Sequence, residues 1–266
     1  MFTSGKAVRM ERIVDRKTGK AVIVPMDHGV TVGPIKGLVD LTKAVNQVAE
    51  GGANAVIGHL GLPKHGHRTY GRDIGLILHL SASSMLSPKP NKKVLVNTVE
   101  NALRVGADGV SIHINVGDEY EAEMLSDFGK VVVDCNYWGM PLFAMMYPRG
   151  PLIEDEKDLE AVKLAARMGA DLGADYIKTV YTGDPESFRE VVEGCPAPIL
   201  IAGGSKLSDI EMFKSIEGAM LAGGKGVSIG RNAFQHKNPA LFVKAACAIV
   251  HENKTAEEAM EILREN

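Results

Sequence analysis

Eight short apolar runs, each followed by a stretch of helical periodicity, predict one α/β domain over residues 1–266, a single (β/α)8 barrel of TIM-barrel architecture. A recurring glycine step supports the count. Gly52-Ala-Asn54, Gly106-Ala-Asp108, Gly173-Ala-Asp175 and Gly223-Gly-Lys225 each lie just before an even-numbered strand. Glycine also suits any helix C-terminus, so the step marks βα repetition and not common descent. A chain of 266 residues, 45% hydrophobic, is long enough to fill a barrel core.

The elements follow in order. Residues 1–20 are charged and read as an N-terminal arm or helix, ending in the turn Thr18-Gly19-Lys20. Ala21-Val-Ile-Val-Pro-Met26 is an uninterrupted apolar run, as a strand buried on both faces requires, and it stops at Asp27-His28-Gly29. Residues 38–50 have helical spacing and end at Gly51-Gly52, a favourable stop. The alternation continues with strand 55–60, helix 73–81, strand 93–96 and helix 98–105. Next come strand 109–114, helix 119–137, strand 141–147 and helix 156–172. The sixth strand lies in Asp175-Tyr-Ile-Lys-Thr-Val-Tyr-Thr-Gly-Asp184 and precedes helix 185–193. Strand 198–202, helix 208–221 and strand 226–229 complete the eight units. Residues 252–266 are a helical extension, opened by a capping box from Thr255 to Glu258.

Composition excludes several classes. The formal net charge is -3 and no basic stripe marks a nucleic-acid surface. No apolar run reaches membrane-spanning length, and the first sixteen residues lack the apolar core of a signal peptide. Cys135, Cys195 and Cys247 are far apart and odd in number, which suits neither a disulfide framework nor a zinc ribbon. These features describe a soluble, cytoplasmic protein with no nucleic-acid or membrane partner.

In such barrels chemistry gathers at the C-terminal ends of the strands. Those ends carry Asp27-His28-Gly29, His59, His113-Ile-Asn115, Tyr147-Pro148-Arg149, Lys178, Gly203-Gly204-Ser205 and Gly230-Arg231-Asn232. Lys178 stands in an apolar strand, where desolvation lowers a lysine pKa and makes the amine a Schiff-base nucleophile. The plainer alternative is a lysine that pairs with Asp175 or Asp184. Asp27 either pairs with Lys178 and moves protons or caps the next turn, and Tyr147 is either an acid/base group or a satisfied core tyrosine. Gly203, Gly204 and Gly230 allow backbone N–H groups near an anion, and Arg231 offers a planar fork, so a phosphate is expected there. Met145, Met146 and Trp138 read as core. His59, His65, His67 and His79 cluster near the second strand, as a metal-dependent rival mechanism would need, but no acidic ligand set accompanies them.

Several segments together resemble the archaeal class I aldolases of the DeoC/FbaB group. They are Val24-Pro-Met-Asp-His-Gly-Val30, Lys64-His-Gly-His-Arg68, Tyr137-Trp-Gly-Met-Pro141, Ala144-Met-Met-Tyr-Pro-Arg-Gly150, Lys178-Thr179, Tyr181-Thr-Gly-Asp184, Gly194-Cys-Pro-Ala-Pro198 and Gly230-Arg-Asn232. The resemblance runs from about residue 8 to 251. It implies Lys178 as Schiff-base lysine, Tyr147 as proton donor and Asp27 as proton acceptor. Asp27, His28, Gly29, Val30, Thr31, Tyr147, Pro148 and Arg149 would line the substrate chain, with Gly203, Gly204, Gly230 and Arg231 on its phosphate. The implied reaction is a transaldol exchange between a phosphorylated sugar, 6-deoxy-5-ketofructose 1-phosphate, and an aldehyde acceptor, L-aspartate semialdehyde, with no metal or other cofactor. The family also implies a ring-based homo-oligomer, up to a decamer. Met145, two positions before Tyr147, and the Lys64–Arg68 loop favour this reaction over fructose-bisphosphate cleavage. A sugar-phosphate-binding barrel without activity is the remaining alternative, against which the intact Asp27, Tyr147 and Lys178 set speaks.

Overall fold

A computed structural model of the chain describes residues 3–66 and 73–264. Its sheet is a closed parallel barrel. The strands are β1 Ala21–Pro25, β2 Ala55–Gly58, β3 Gly75–His79, β4 Gly109–Val116, β5 Leu142–Pro148, β6 Tyr176–Thr179, β7 Ile199–Ala202 and β8 Gly226–Ser228. Each strand pairs with its sequence neighbours, and β8 closes on β1 through Ala21 opposite Gly226.

The third unit differs from the sequence expectation. Residues 73–81, expected as helix, contain β3, buried at every position. Residues 93–96, expected as the third barrel strand, lie outside the barrel. There Val94–Leu95 pairs antiparallel with Ser81–Ala82 in a small ribbon. The physical reason is burial. Gly75-Leu-Ile-Leu-His79 is apolar all round, as an inner parallel strand needs, whereas Val94 and Val96 stay exposed. Short apolar runs of this kind suit strand and helix equally by periodicity. The later strands keep their places in the order.

Two apolar layers hold the barrel. The larger lies between sheet and helices and contains the fully buried rings of Phe128, Phe188, Phe213 and Phe242, each contributing roughly 1.5–3 kcal/mol. The smaller fills the barrel, from Ile23, Ile57 and Ile77 to Phe143 and Tyr176. Helix Ser4–Met10, capped by the Thr3 hydroxyl, leads into this inner layer through Met10 and Ile13. Trp138, expected in the core, is instead 41% exposed, its ring edge against the exposed Tyr137. It ends helix Glu121–Trp138, and Gly139 follows in the left-handed region. The indole N–H donates to the Glu100 carboxylate, so the ring sits at the surface with its polar atom engaged. Among the described residues no helix is long and apolar enough to cross a membrane.

The glycine step has a structural task. Gly52, Gly106, Gly173 and Gly223 all have φ between 71° and 110°, which a side chain resists. In three of the steps the following Asn or Asp then accepts a backbone N–H from the preceding strand. Asn54 takes Val22 N at 2.7 Å, Asp108 takes Leu76 N at 2.9 Å and Asp175 takes Leu142 N at 2.8 Å. Asp175 is neutralised by Lys6 at 2.9 Å and Asp108 by Arg12 at 2.6 Å, so the N-terminal segment is fastened to two of these clamps. Lys225, in the fourth step, offers no such acceptor.

Candidate active site at the barrel mouth

Alternation along β6 directs Tyr176 into the barrel, and Lys178, two residues on, shares its face. Lys178 lies between Met145 and Leu200 in register and is 8% exposed. Neither carboxylate of the plainer alternative serves it. Asp175 is engaged with Lys6, and Asp184 caps helix Pro185–Glu193, accepting from the Ser187 amide at 2.9 Å. The side chain instead faces a cavity of about 500 Å³ at the mouth, which Asp27, Tyr147 and Arg231 also line.

Asp27 follows β1 at the start of the short helix His28–Val32, but its side chain makes no cap hydrogen bond. Its carboxylate lines the cavity instead, 3.6 Å from His28 Nδ1. Burial opposes its ionisation, yet His79, His28 and Lys178 outweigh that and hold the carboxyl at about 2. Those histidines are themselves kept neutral near pH 7 by burial, and Lys178 borders the same cavity as Asp27. Tyr147 projects inward from β5 opposite Asn115. Its ring meets the His113 ring at 5.0 Å, and the Arg149 guanidinium lies 5.4 Å from its centre.

The glycine loops after β7 and β8 form the far wall. Asn232, buried, ties them together by donating to the Gly203 and Ser205 carbonyls at 3.3 and 3.4 Å and accepting from Leu207 N at 2.9 Å. Arg231 donates to the Gly204 carbonyl at 2.7 Å. A Cβ on Gly230 would lie 2.7 Å from His28 Cε1 and 2.9 Å from the Pro25 carbonyl oxygen, so close approach of these loops requires glycine. His28 and Thr31 complete this side. Of the residues expected to line the substrate, Gly29, Val30 and Pro148 do not reach the cavity wall.

The inner face of β4 carries polar residues to which sequence reasoning assigned no role. Ser111 meets His79 Nδ1 at 2.8 Å. Asn115 donates through Nδ2 to the Asn91 carbonyl at 2.7 Å, so its oxygen faces His113 Nε2 at 2.8 Å. His113 therefore carries its proton on Nε2, and burial keeps the ring neutral. The signal was the alternation Ser111, His113, Asn115, read only as an end of a strand. Of the histidine cluster, His59 and His79 stack edge to face at 5.2 Å, and His65 lies in helix Gly61–His65. His67 and Arg68 lie outside the described residues. Among the described residues no three His, Cys, Asp or Glu side chains are placed to share a metal.

His79 carries an expectation for stability. Burial, which outweighs the attraction of Asp27, holds its folded pKa at about 3, below the unfolded value. The contribution is then full above pH ~6.5 and is lost as pH falls, at about 1.4 kcal/mol per pH unit. Urea unfolding between pH 7 and 4.5 should show a shallower decline in His79→Asn than in the parent, by about one proton. Equal slopes in the two proteins would contradict this account.

A barrel whose mouth sets a buried lysine beside a carboxylate, a phenol and glycine anion loops defines an enzyme of the lysine-dependent aldolase class. The chain belongs to the DeoC/LacD family of aldolases, whose family model matches residues 21–236. It is 45% identical over 260 residues to 2-amino-3,7-dideoxy-D-threo-hept-6-ulosonate synthase 1 of Archaeoglobus fulgidus, covering 98% of this chain and 96% of that protein. It is 36% identical to 2-amino-4,5-dihydroxy-6-oxo-7-(phosphonooxy)heptanoate synthase of Streptomyces griseus, covering 94% of this chain and 92% of that one. Among solved structures, a Schiff-base-forming fructose-1,6-bisphosphate aldolase superposes with a TM-score of 0.85 at 29% identity, over 92% of this chain and all of that one. The chain is an enzyme of this class I, Schiff-base kind.

Proposed function

We propose that the enzyme exchanges aldehydes on a lysine-bound enamine, from 6-deoxy-5-ketofructose 1-phosphate to L-aspartate semialdehyde. Lys178 attacks the C5 ketone and water leaves, giving an iminium. Asp27 accepts the C3 hydroxyl proton as the C3–C4 bond breaks. That electron pair forms the enamine, and C3 departs as the aldehyde of a three-carbon dicarbonyl phosphate. Enamine C4 then adds to the acceptor aldehyde, and Tyr147 protonates the new alkoxide. The proton held by Asp27 restores Tyr147, and water hydrolyses the imine to release 2-amino-3,7-dideoxy-D-threo-hept-6-ulosonate. This product is a precursor for a route to dehydroquinate and the aromatic amino acids.

The observation that carries the reading is Lys178, buried in the barrel wall without Asp175 or Asp184 and facing Asp27 across the cavity. Both relatives named above make seven-carbon products with an amino group at carbon 2, which supports an amino-acid aldehyde as acceptor. The backbone of Gly203, Gly204 and Gly230 with Arg231 takes the donor's phosphate in this proposal, and His28, Thr31 and Arg149 border its carbon chain. A ring-based homo-oligomer also belongs to it, and the exposed Val133, Tyr137 and Trp138 supply an apolar face for a second copy. So does a cytoplasmic location, which the free thiols of Cys135, Cys195 and Cys247 support.

The test is product analysis by mass spectrometry with the ketofructose phosphate and aspartate semialdehyde together, and with fructose 1,6-bisphosphate alone. The heptulosonate should form in the first mixture, faster than the bisphosphate is cleaved in the second. Bisphosphate cleavage with no condensation onto the semialdehyde would overturn this reading in favour of a fructose-bisphosphate aldolase.

A further inference from the structure

The mouth has a second charged corner, of which the reading above uses only Arg149, beside the donor's carbon chain. It comprises Lys93, from the loop that follows β3, Arg149, which follows β5, and Glu156. The sheet order places β3 to β5 across the barrel from β7 and β8, so this corner and the glycine loops lie on opposite sides of the mouth. All three side chains border the same cavity as Lys178.

The corner is built rather than incidental. Asn115, fully buried, holds the Lys93 loop to β4 through the Asn91 carbonyl. Lys93 Nζ donates to the Ser83 hydroxyl and, at 3.2 Å, to the Pro90 carbonyl, and forms no ion pair among the described residues. Burial, then the charge of Arg149, pulls its pKa below the ordinary lysine value. A half-buried ammonium beside a second cation gains from an incoming anion. Arg149 holds Glu156 through Nε at 2.6 Å and Nη2 at 2.9 Å, which leaves its Nη1 hydrogens for another acceptor. Glu156 is 44% exposed and keeps acceptor capacity towards the cavity.

Two cations and one carboxylate match the two opposite charges of an α-amino acid. A phosphate would meet Glu156 as a like charge; an α-carboxylate and α-ammonium would satisfy all three groups. We propose that Lys93 and Arg149 receive the α-carboxylate of the acceptor aldehyde and Glu156 its α-ammonium. The acceptor's head thus docks opposite the glycine loops, while its aldehyde carbon meets the enamine at Lys178. This rests on the transaldol reading above and makes the three residues determinants of acceptor specificity.

Kinetics of the full enzyme with two acceptors test it. Aspartate semialdehyde and succinate semialdehyde share the aldehyde and the carboxylate, but the second lacks the ammonium. Lys93→Met should raise KM for both by roughly 10- to 100-fold. Glu156→Gln should raise it by a similar factor for aspartate semialdehyde alone, erasing the preference between them. Inorganic phosphate should compete with the donor and not with either acceptor. Borohydride trapping of the donor on Lys178 reports that each variant retains a folded site. Acceptor KM unchanged in both variants, with phosphate competing against aspartate semialdehyde, would overturn the inference and put the acceptor's carboxylate in the vacated phosphate loops. Parent enzyme that traps the donor yet never condenses it with aspartate semialdehyde would overturn the acceptor assignment and this inference together.

Discussion

Replacing Lys178 by methionine should lower turnover by at least about 10⁴-fold and abolish every borohydride-stable adduct with the donor. Methionine keeps an unbranched chain in the gap between Met145 and Leu200, so the barrel wall should remain packed. What is lost is the amine, and no neighbour on β6 can stand in for it. The flanking Ile177 and Thr179 lie on the other face of β6, and the next inward residue is the apolar Val180. Peptide mapping of the reduced parent enzyme should place the added mass on Lys178. An adduct of undiminished yield in the methionine variant would refute the imine mechanism for this residue.

Asp27→Asn should lower kcat by roughly 10²- to 10⁴-fold while the donor is still trapped on Lys178. The amide matches the carboxylate in shape, so loss of rate reports loss of the proton acceptor. Because the folded carboxyl titrates at about 2, Asp27 stays ionised through the neutral range. Any acid limb in the parent's rate profile above pH 4 must then come from another group, and that limb should persist in the asparagine variant. Single-turnover cleavage, followed by release of the dicarbonyl phosphate, isolates the affected step. A variant that cleaves at the parent's rate would remove Asp27 from the proton path.

The sixth strand was legible because a lone lysine inside Tyr176-Ile-Lys-Thr-Val180 has few explanations, and strand ends of a barrel limit where it can point. The glycine loops were legible for the same reason, since two of them recur at the strands known to hold anions. The third strand was not. Gly75–His79 and residues 93–96 are both short apolar runs, and only closure of the sheet decides which one is enclosed on all sides. That ambiguity concealed Lys93, which read as the start of a strand and lies in fact on the mouth. Glu156 was hidden likewise, as an expected first residue of a helix that begins at Leu159. Asn115 could not be interpreted from sequence at all, because its two partners, Asn91 and His113, come from a distant loop and its own strand. Trp138 was misjudged on residue type alone.

The three side-chain clamps at Asn54, Asp108 and Asp175 divide the barrel unequally. Each fastens an odd strand to the turn that launches the next even one, and together they stiffen six consecutive staves. The remaining pair, β7 and β8, has Lys225 where a clamp would stand, and it carries both glycine loops. There Lys225 N still donates to the Ile199 carbonyl at 2.8 Å, and Asn232 joins the two loops, so other ties hold this pair. Lys178 stands on one of the clamped staves, so the amine proposed as nucleophile is held by a strand whose launching turn has such a tie.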